Sequence, residues 1–283
     1  PPVIAKSSDG NKVSKNKLKF CFQSPVWETA GFNAQGGMQF LRQVERQKDE
    51  DFVNFLNQIR VGRLTTSMNA LLEQCLISNK PPPDNGIIPT KLYAINAEVD
   101  AENNARLQEL PGEVYTMTAV DKWVKKPSKP SMEKIFRTGL DNMVPEEIHL
   151  KVGAQVMLLR NRAKGQFGAL SVSSGPSLVN GSRGKIIGFD KSVLRPDLIV
   201  PTVMFDNGVV TTIGPTEYLF KGPAGDGECL RLQIPLKLAW AATVHKSQGC
   251  TLTCAELMLD KTFDYGQVYV ALSRVKSLAG LWL

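Results

Sequence analysis

With 283 residues, 42% of them hydrophobic and 22% charged, and a net charge of +7, the chain has the balance of a globular protein of one large domain or two smaller ones, which excludes disorder and fibres. No apolar run reaches the roughly 18 residues that cross a bilayer, and the N-terminus lacks the charged, apolar and small-residue succession of a signal peptide, so an intracellular protein is expected. Five widely spaced cysteines, Cys21, Cys75, Cys229, Cys250 and Cys254, form no CxxC pair, which argues against a disulfide framework and a zinc site and predicts reduced thiols.

Both ends read as cut: the chain opens on Pro1-Pro2-Val3 and closes on the strand-like Leu281-Trp282-Leu283, with no cap or tail after it. Leu18–Gln23 alternates like a short strand. Asp49 to Gly62 reads as a helix with both ends marked. Phe52, Phe55, Leu56 and Ile59 share a face, Asp49 caps the start, Glu50 and Asp51 suit the dipole, and Gly62 closes the end. Pro81 to Pro83 and Asp84-Asn85-Gly86 form a loop that feeds a strand at Lys91–Ile95. Asn96 then begins a helix with Val99, Asn103, Leu107 and Leu110 on one side. The run Lys122, Trp123, Lys125, Lys126, Lys129 suits base stacking with phosphate attraction, and the simpler reading is a solvated loop. The basic excess fits a polyanion-binding surface without requiring one.

After Val152 the texture changes to short β-rich runs at Val156–Leu159, Lys185–Phe189, Ile199–Phe205 and Val209–Ile213. The turn pairs Asn180-Gly181, Arg195-Pro196 and Asn207-Gly208 separate them. This spacing predicts a small barrel of about 70 residues inserted into an α/β parent. The α/β texture returns after Pro235. Residues 236–245 are predicted helical, because Leu238, Ala241, Ala242 and His245 share a face and Gly249 supplies a left-handed stop. Residues 251–259 follow as a buried strand, and Val268, Leu272 and Val275 mark another helix.

Three stretches concentrate polar groups at the ends of apolar elements, where open α/β sheets build sites. His245, Lys246, Ser247, Gln248 and Gly249 offer an imidazole, an ammonium, a hydroxyl, an amide and a backbone open to close approach. A capped helix end with solvated side chains is the simpler alternative. Tyr269–Arg274 (YVALSR) delivers an arginine that can grip a transferring phosphoryl group with two prongs, or one that merely complements a helix dipole. Arg46 and Gln47, just before the capped helix, could also face a phosphate.

Residues 46–60 (RQKDEDFVNFLNQIR), 92–103 (LYAINAEVDAEN), 235–249 (PLKLAWAATVHKSQG) and 266–274 (GQVYVALSR) fall in the order found in the Pif-type DNA helicases of superfamily one, named for petite integration frequency. The chain resembles that family from Leu18 onward. Leu150–Leu158 (LKVGAQVML) and Leu178–Phe189 (LVNGSRGKIIGF) are similar to the family's lead into a small inserted barrel and the hairpin within it. The resemblance implies an α/β fold: a RecA-like parallel-sheet motor domain with an inserted barrel similar to SRC-homology-three folds. Residues 1–40 would be a remnant of the first motor domain, 41–158 and 231–283 the two parts of the second, and 159–230 the barrel. It implies ATP between the motor domains and single-stranded DNA across their shared surface. By matching motif, His245, Lys246 and Ser247 would contact or position the strand, and Gln248 and Gly249 would link that contact to the nucleotide. Arg274 would be the arginine finger and Arg46 a second phosphate sensor supported by Gln47. Asn96 and Asn103 match a strand-turn-helix set against the DNA backbone. ATP and Mg2+ are the implied cofactors, with metal ligands coming mainly from the first motor domain. Single-stranded, forked or G-quadruplex DNA and that same domain are the implied partners, with no membrane involved. Travel from 5′ to 3′, genome maintenance, and residence in the nucleus or mitochondrion come only from the resemblance.

The phosphate cradle GxxxxGK[ST] does not occur in the sequence. Its nearest string, Gly181-Ser182-Arg183-Gly184-Lys185-Ile186, has the wrong spacing and fits a hairpin turn. Asp49-Glu50-Asp51 opens a helix and does not end a strand as a magnesium-binding acidic pair would. The chain alone is therefore expected not to hydrolyse ATP. Two other readings stand beside the motor: a non-catalytic module that binds single-stranded nucleic acid, and a protein-interaction module centred on residues 160–230. His149 reads as a surface or linker histidine, and Trp123, Trp240 and the other tryptophans as packing residues. The motor reading requires Arg274 and residues 245–249 to face one cleft.

Overall fold

The computed structural model describes residues 21–32, 37–39, 43–81, 83, 86–161, 178–192, 197–262 and 266–283. Most of residues 1–40, the start of the expected strand Leu18–Gln23 and the expected turn Arg195-Pro196 lie outside them. Cys21–Gln23 form a 3-10 turn instead of a strand end.

Helices α1 (Pro25–Thr29), α2 (Glu50–Arg60) and α3 (Thr66–Glu73) precede strand β1 (Thr90–Tyr93) and helix α4 (Asn96–Glu109). Strands β2 (Tyr115–Thr118) and β3 (Val120–Lys125), helix α5 (Glu133–Met143), and strands β4 (Glu147–Leu150) and β5 (Gln155–Leu158) follow. Next come β6 (Arg183–Lys191), β7 (Ile199–Phe205), β8 (Val210–Thr212), β9 (Thr216–Lys221) and β10 (Glu228–Gln233). The chain ends through β11 (Leu236–Leu238), β12 (Ala241–Thr243), β13 (Ala255–Leu257), helix α6 (Gln267–Leu272) and β14 (Leu281–Trp282).

The α2 helix forms where its local signals place it. The Asp49 carboxylate accepts from the amides of Asp51 and Phe52 at 3.0 and 3.2 Å, which satisfies two of the donors that every helix start leaves open. Gly62, at φ 73°, closes the end with its amide on the Ile59 carbonyl. Phe52, Phe55 and Leu56 are buried beneath it.

Two cores result. The first lies around a parallel sheet ordered β12-β1-β13-β14. Leu92 and Leu257 of the sheet pack there with Phe52, Phe55 and Leu56 of α2 and with Ala271 and Leu272 of α6. The second gathers three antiparallel sheets, β2-β4, β3-β10-β9 and β11-β5-β6-β7-β8, around Phe136, Leu140, Leu150, Val156, Ile186, Val203 and Phe205. Among the described residues the edge strands β11 and β8 do not pair with each other. Arg231 anchors this half. Its guanidinium is fully buried, makes paired bonds to Asp121 at 2.7 and 2.8 Å, and reaches Asp141 at 2.6 Å and the Val144 carbonyl at 2.9 Å.

Three expectations need correction. Residues 236–245 are not a helix but two short strands. Leu236 to Leu238 pair with Val156 to Leu158, and Ala241 to Thr243 pair with β1. An apolar run of this length fits either state, and sheet partners distant in sequence decide it. Residues 251–259 hold a strand only at β13, while Leu252 makes an isolated bridge to Val275. The lysine-rich run from Lys122 is not a loop: through Lys125 it is part of edge strand β3, where charged side chains discourage pairing with another chain. Trp123 packs edge-on against Phe136 at 5.0 Å, and Trp240 is buried. His149 lies exposed on β4, with Nδ1 3.0 Å from the Thr116 hydroxyl. No helix among the described residues is long and apolar enough to cross a membrane.

Candidate functional site

The α6 helix starts after Gly266, whose φ of 74° few other residues adopt. It buries Ala271 and Leu272 in the first core, and Ser273 and Arg274 emerge at its end. The Arg274 carbonyl accepts from the Leu252 amide at 2.9 Å, which ties the helix end to the segment after residues 245–249. The Arg274 side chain folds back on its own helix: Nε donates to the Val270 carbonyl at 2.9 Å and Nη2 to the Ser273 hydroxyl at 2.7 Å.

Arg46 arrives at the same residue from the other end of the chain. Its Nη1 donates to the Ser273 carbonyl at 3.2 Å and its Nε to the Thr251 hydroxyl at 3.0 Å. Gln47, buried beside it, donates to the carbonyls of Ser273 at 3.2 Å and Val275 at 2.9 Å. Two guanidiniums are thus anchored on Ser273, one through its carbonyl and one through its hydroxyl. Among the described residues no carboxylate lies within 4 Å of either. Burial lowers the pKa of Arg274, and the Arg46 charge pushes the same way, with Cys250 and Tyr269 opposing. A cleft of about 360 Å³ opens beside Arg46, with Gln47, Tyr269 and Ser273 in its wall.

Residues 245–249 follow β12 as a tight turn. The Ser247 amide donates to the Thr243 carbonyl at 3.0 Å, the Gln248 amide to the His245 carbonyl at 3.1 Å, and the Cys250 amide to the Ser247 carbonyl at 3.0 Å. The Ser247 side chain is buried and donates to the Val244 carbonyl at 2.7 Å, whereas His245, Lys246, Gln248 and Gly249 are exposed. Gly249, at φ 83°, ends this turn and not a helix. Two residues later Thr251 holds Arg46, so the cationic pair and the exposed turn sit on adjoining stretches of backbone.

Asn96 is exposed at the start of α4, beyond the C-terminal end of β1. Residues 245–249 lie beyond the same end of the neighbouring parallel strand β12, an edge at which open sheets bind ligands. Asn103 differs from its expected place at the DNA face. It is buried, and its amide donates to the Ala241 carbonyl at 3.1 Å and accepts from the Ala241 amide at 3.0 Å, so both ends are taken up in holding β12. Sequence reasoning missed Thr251 and Ser273, which meet Arg46 only across separations of 205 and 227 residues. No local pattern marks such partners. Among the described residues no group of three His, Cys, Asp or Glu side chains could hold a metal ion.

The family described as "DNA helicase Pif1, 2B domain" matches residues 138–189, which run from within α5 into β6. A curated relative, the ATP-dependent DNA helicase PIF1 of Xenopus laevis, is 38% identical over 281 residues, covering 99% of this chain and 38% of its own length. The chain thus spans about two fifths of that relative. The crystal structure of the Pif1 helicase from Candida albicans superposes with a TM-score of 0.64 at 30% identity, covering 95% of this chain and 60% of that one. The structure of Bacteroides sp Pif1 in complex with ADP-AlF4 gives 0.61 at 27% identity, covering 85% and 50%. Over nearly all of its length the chain is similar to the Pif-type DNA helicases.

Proposed function

We propose that this chain is the part of an ATP-dependent DNA helicase that grips single-stranded DNA and presents cations to an ATP held mainly by another motor domain. The observation that carries the reading is the Arg46–Arg274 pair, two guanidiniums anchored on Ser273 with no carboxylate within 4 Å among the described residues. Like charges held together this way are relieved by an anion, and two planar forks match the oxygens of a phosphoryl group. Arg274 is read as the arginine finger, with Arg46 as a second phosphate sensor that Gln47 holds in place. The Bacteroides protein in complex with ADP-AlF4 supports nucleotide use in a related fold. Mg2+ would take its ligands mainly from the first motor domain.

His245 and Lys246 are read as strand contacts, because they are exposed at the ligand-binding edge of the sheet. Ser247, bound inward to Val244, fixes the shape of the turn, and Asn103 acts at one remove by holding Ala241. Asn96 is read as a backbone contact, and Gln248 and Gly249 as the link toward Thr251 and Arg46. The parallel sheet of β12, β1, β13 and β14 is read as RecA-like, although of the expected ranges 41–158 and 231–283 the strands β2 to β5 and β11 lie in the antiparallel sheets. Residues 159–230 are read as an inserted unit similar to SRC-homology-three folds, and 1–40 as the end of the first motor domain. Closure of the two motor domains around ATP would pull Thr251 and the adjoining turn together, shifting residues 245–249 along the strand. Travel from 5′ to 3′, action on forked or G-quadruplex DNA, and residence in the nucleus or mitochondrion belong to the same proposal. In the complete helicase, Arg274→Ala should abolish ATP turnover while single-strand affinity stays within about twofold. Equal loss of both would overturn the assignment.

A further inference from the structure

Lys237 is the middle residue of β11, and the strand register gives it an unusual place. Leu236 and Leu238 pair with Leu158 and Val156 and belong to the antiparallel core. Alternation turns Lys237 to the opposite face, across from Met157, a member of the parallel-sheet core. The lysine therefore stands at the seam between the two halves of the molecule.

Contacts around it close that seam. The Gly181 amide donates to the Leu158 carbonyl and the Leu158 amide to the Ser182 carbonyl, both at 2.9 Å. The turn so fastened lies directly on Cys250, whose Sγ is 3.6 Å from Asn180 Oδ1. A Cβ added to Gly181, at φ +93°, would stand 2.9 Å from the Cys250 Cβ, so glycine is required for the approach. Lys237 thus points into a corner formed by β5, the turn at residues 180–182 and the segment 245–250, which also carries Lys246.

Among the described residues nothing in that corner balances its charge. Among the described residues the Lys237 ammonium has no hydrogen-bond partner and no carboxylate within 4 Å, although the side chain is partly buried. Burial pushes its pKa below the ordinary lysine value, Lys246 adds repulsion, and Cys250 opposes. A partly buried ammonium without a partner weakens a fold, and Met157 opposite shows that an apolar side chain suits this surface. A lysine whose stem simply packs while its head reaches water would not need a second cation beside it.

We propose that Lys237 and Lys246 together hold one backbone phosphate of the bound single strand at the seam between the parallel and antiparallel halves. This rests on the reading of residues 245–249 as the strand-binding turn. It adds a contact supplied by β11, so the strand would touch both halves at once.

The test is fluorescence anisotropy of a labelled oligothymidylate with the full chain, titrated across salt concentrations, for the wild type, Lys237→Met and Lys237→Gln. Wild type should bind with salt-dependent affinity. Both variants should bind several-fold more weakly at low salt, with the slope of log affinity against log salt shallower by about 0.7, the value of one single-strand phosphate contact. Lys237→Met should melt no lower than wild type. Unchanged affinity and slope in either folded variant, with wild-type binding intact, would overturn the Lys237 assignment alone, as would a lower melting temperature in both variants with no change in slope. A wild-type chain that fails to bind the oligonucleotide would remove the strand-binding reading itself.

Discussion

The surroundings of Arg231 and of Arg274 solve the same problem in opposite ways. Arg231, at the centre of the antiparallel half, is fully buried and ringed by Asp121, Asp141 and the Val144 carbonyl. The paired bonds it donates to Asp121 come first among the causes that raise its pKa, outweighing burial. Arg274, in the parallel half, is held among the described residues by the Val270 carbonyl and the Ser273 hydroxyl, and Arg46 stands close enough to lower its pKa further. The first arrangement is complete within the fold. The second is preorganised but electrostatically open, and catalytic and binding sites are built that way because an incoming anion then finds donors already aimed. Balanced charge thus marks the Arg231 site, and unbalanced charge marks the Arg46–Arg274 pair and Lys237.

The sharpest way to break this comparison is to remove each guanidinium in turn. Arg231→Met should destabilise the fold by about 2–3 kcal/mol in chemical denaturation. That lies below the roughly 3–5 kcal/mol of a fully buried pair, because the Asp121 and Asp141 side chains remain 37% and 44% exposed. Arg274→Met should change stability by less than about 0.5 kcal/mol. Similar losses in the two variants would show that Arg274 is a structural arginine after all.

A smaller effect sharpens the same contrast through pH. Burial alone would raise the pKa of Glu102, but hydrogen bonds from Lys91 at 3.0 Å and Arg106 at 3.2 Å hold it below the ordinary carboxylate value. A folded-state pKa below the unfolded one contributes stability that is fully present above the unfolded value and is lost as pH falls through the folded value. Glu102→Gln should therefore cost about 0.5–1 kcal/mol at neutral pH, with the difference from wild type vanishing under acid conditions. A cost independent of pH would assign Glu102 a packing role.

What the sequence disclosed follows the range of the forces involved. The α2 helix was legible because Asp49, the Phe52-Phe55-Leu56 face and Gly62 act within a few residues of one another. Residues 236–245 were misread because Leu238, Ala241, Ala242 and His245 coincide with a helical face, while the partners that make them strands, Val156 and Leu92, lie far away in the chain. Arg46, Gln47 and Arg274 were nameable from motif resemblance. Their convergence on Ser273 and Thr251 is a property of the folded chain alone. Asn103 shows the opposite limit: motif resemblance implied a place against the DNA backbone, and burial commits both ends of its amide to Ala241. Lys237 carried no signal until the strand register turned it toward the seam.

The most direct measurement of the central claim is calorimetric titration of the chain with tripolyphosphate at low ionic strength, comparing wild type with the double variant Arg46→Ala plus Arg274→Ala. If the unbalanced guanidinium pair is an oxyanion site, wild type binds and the double variant loses at least about tenfold in affinity, roughly 1.4 kcal/mol. Equal affinity in the two proteins would contradict the account.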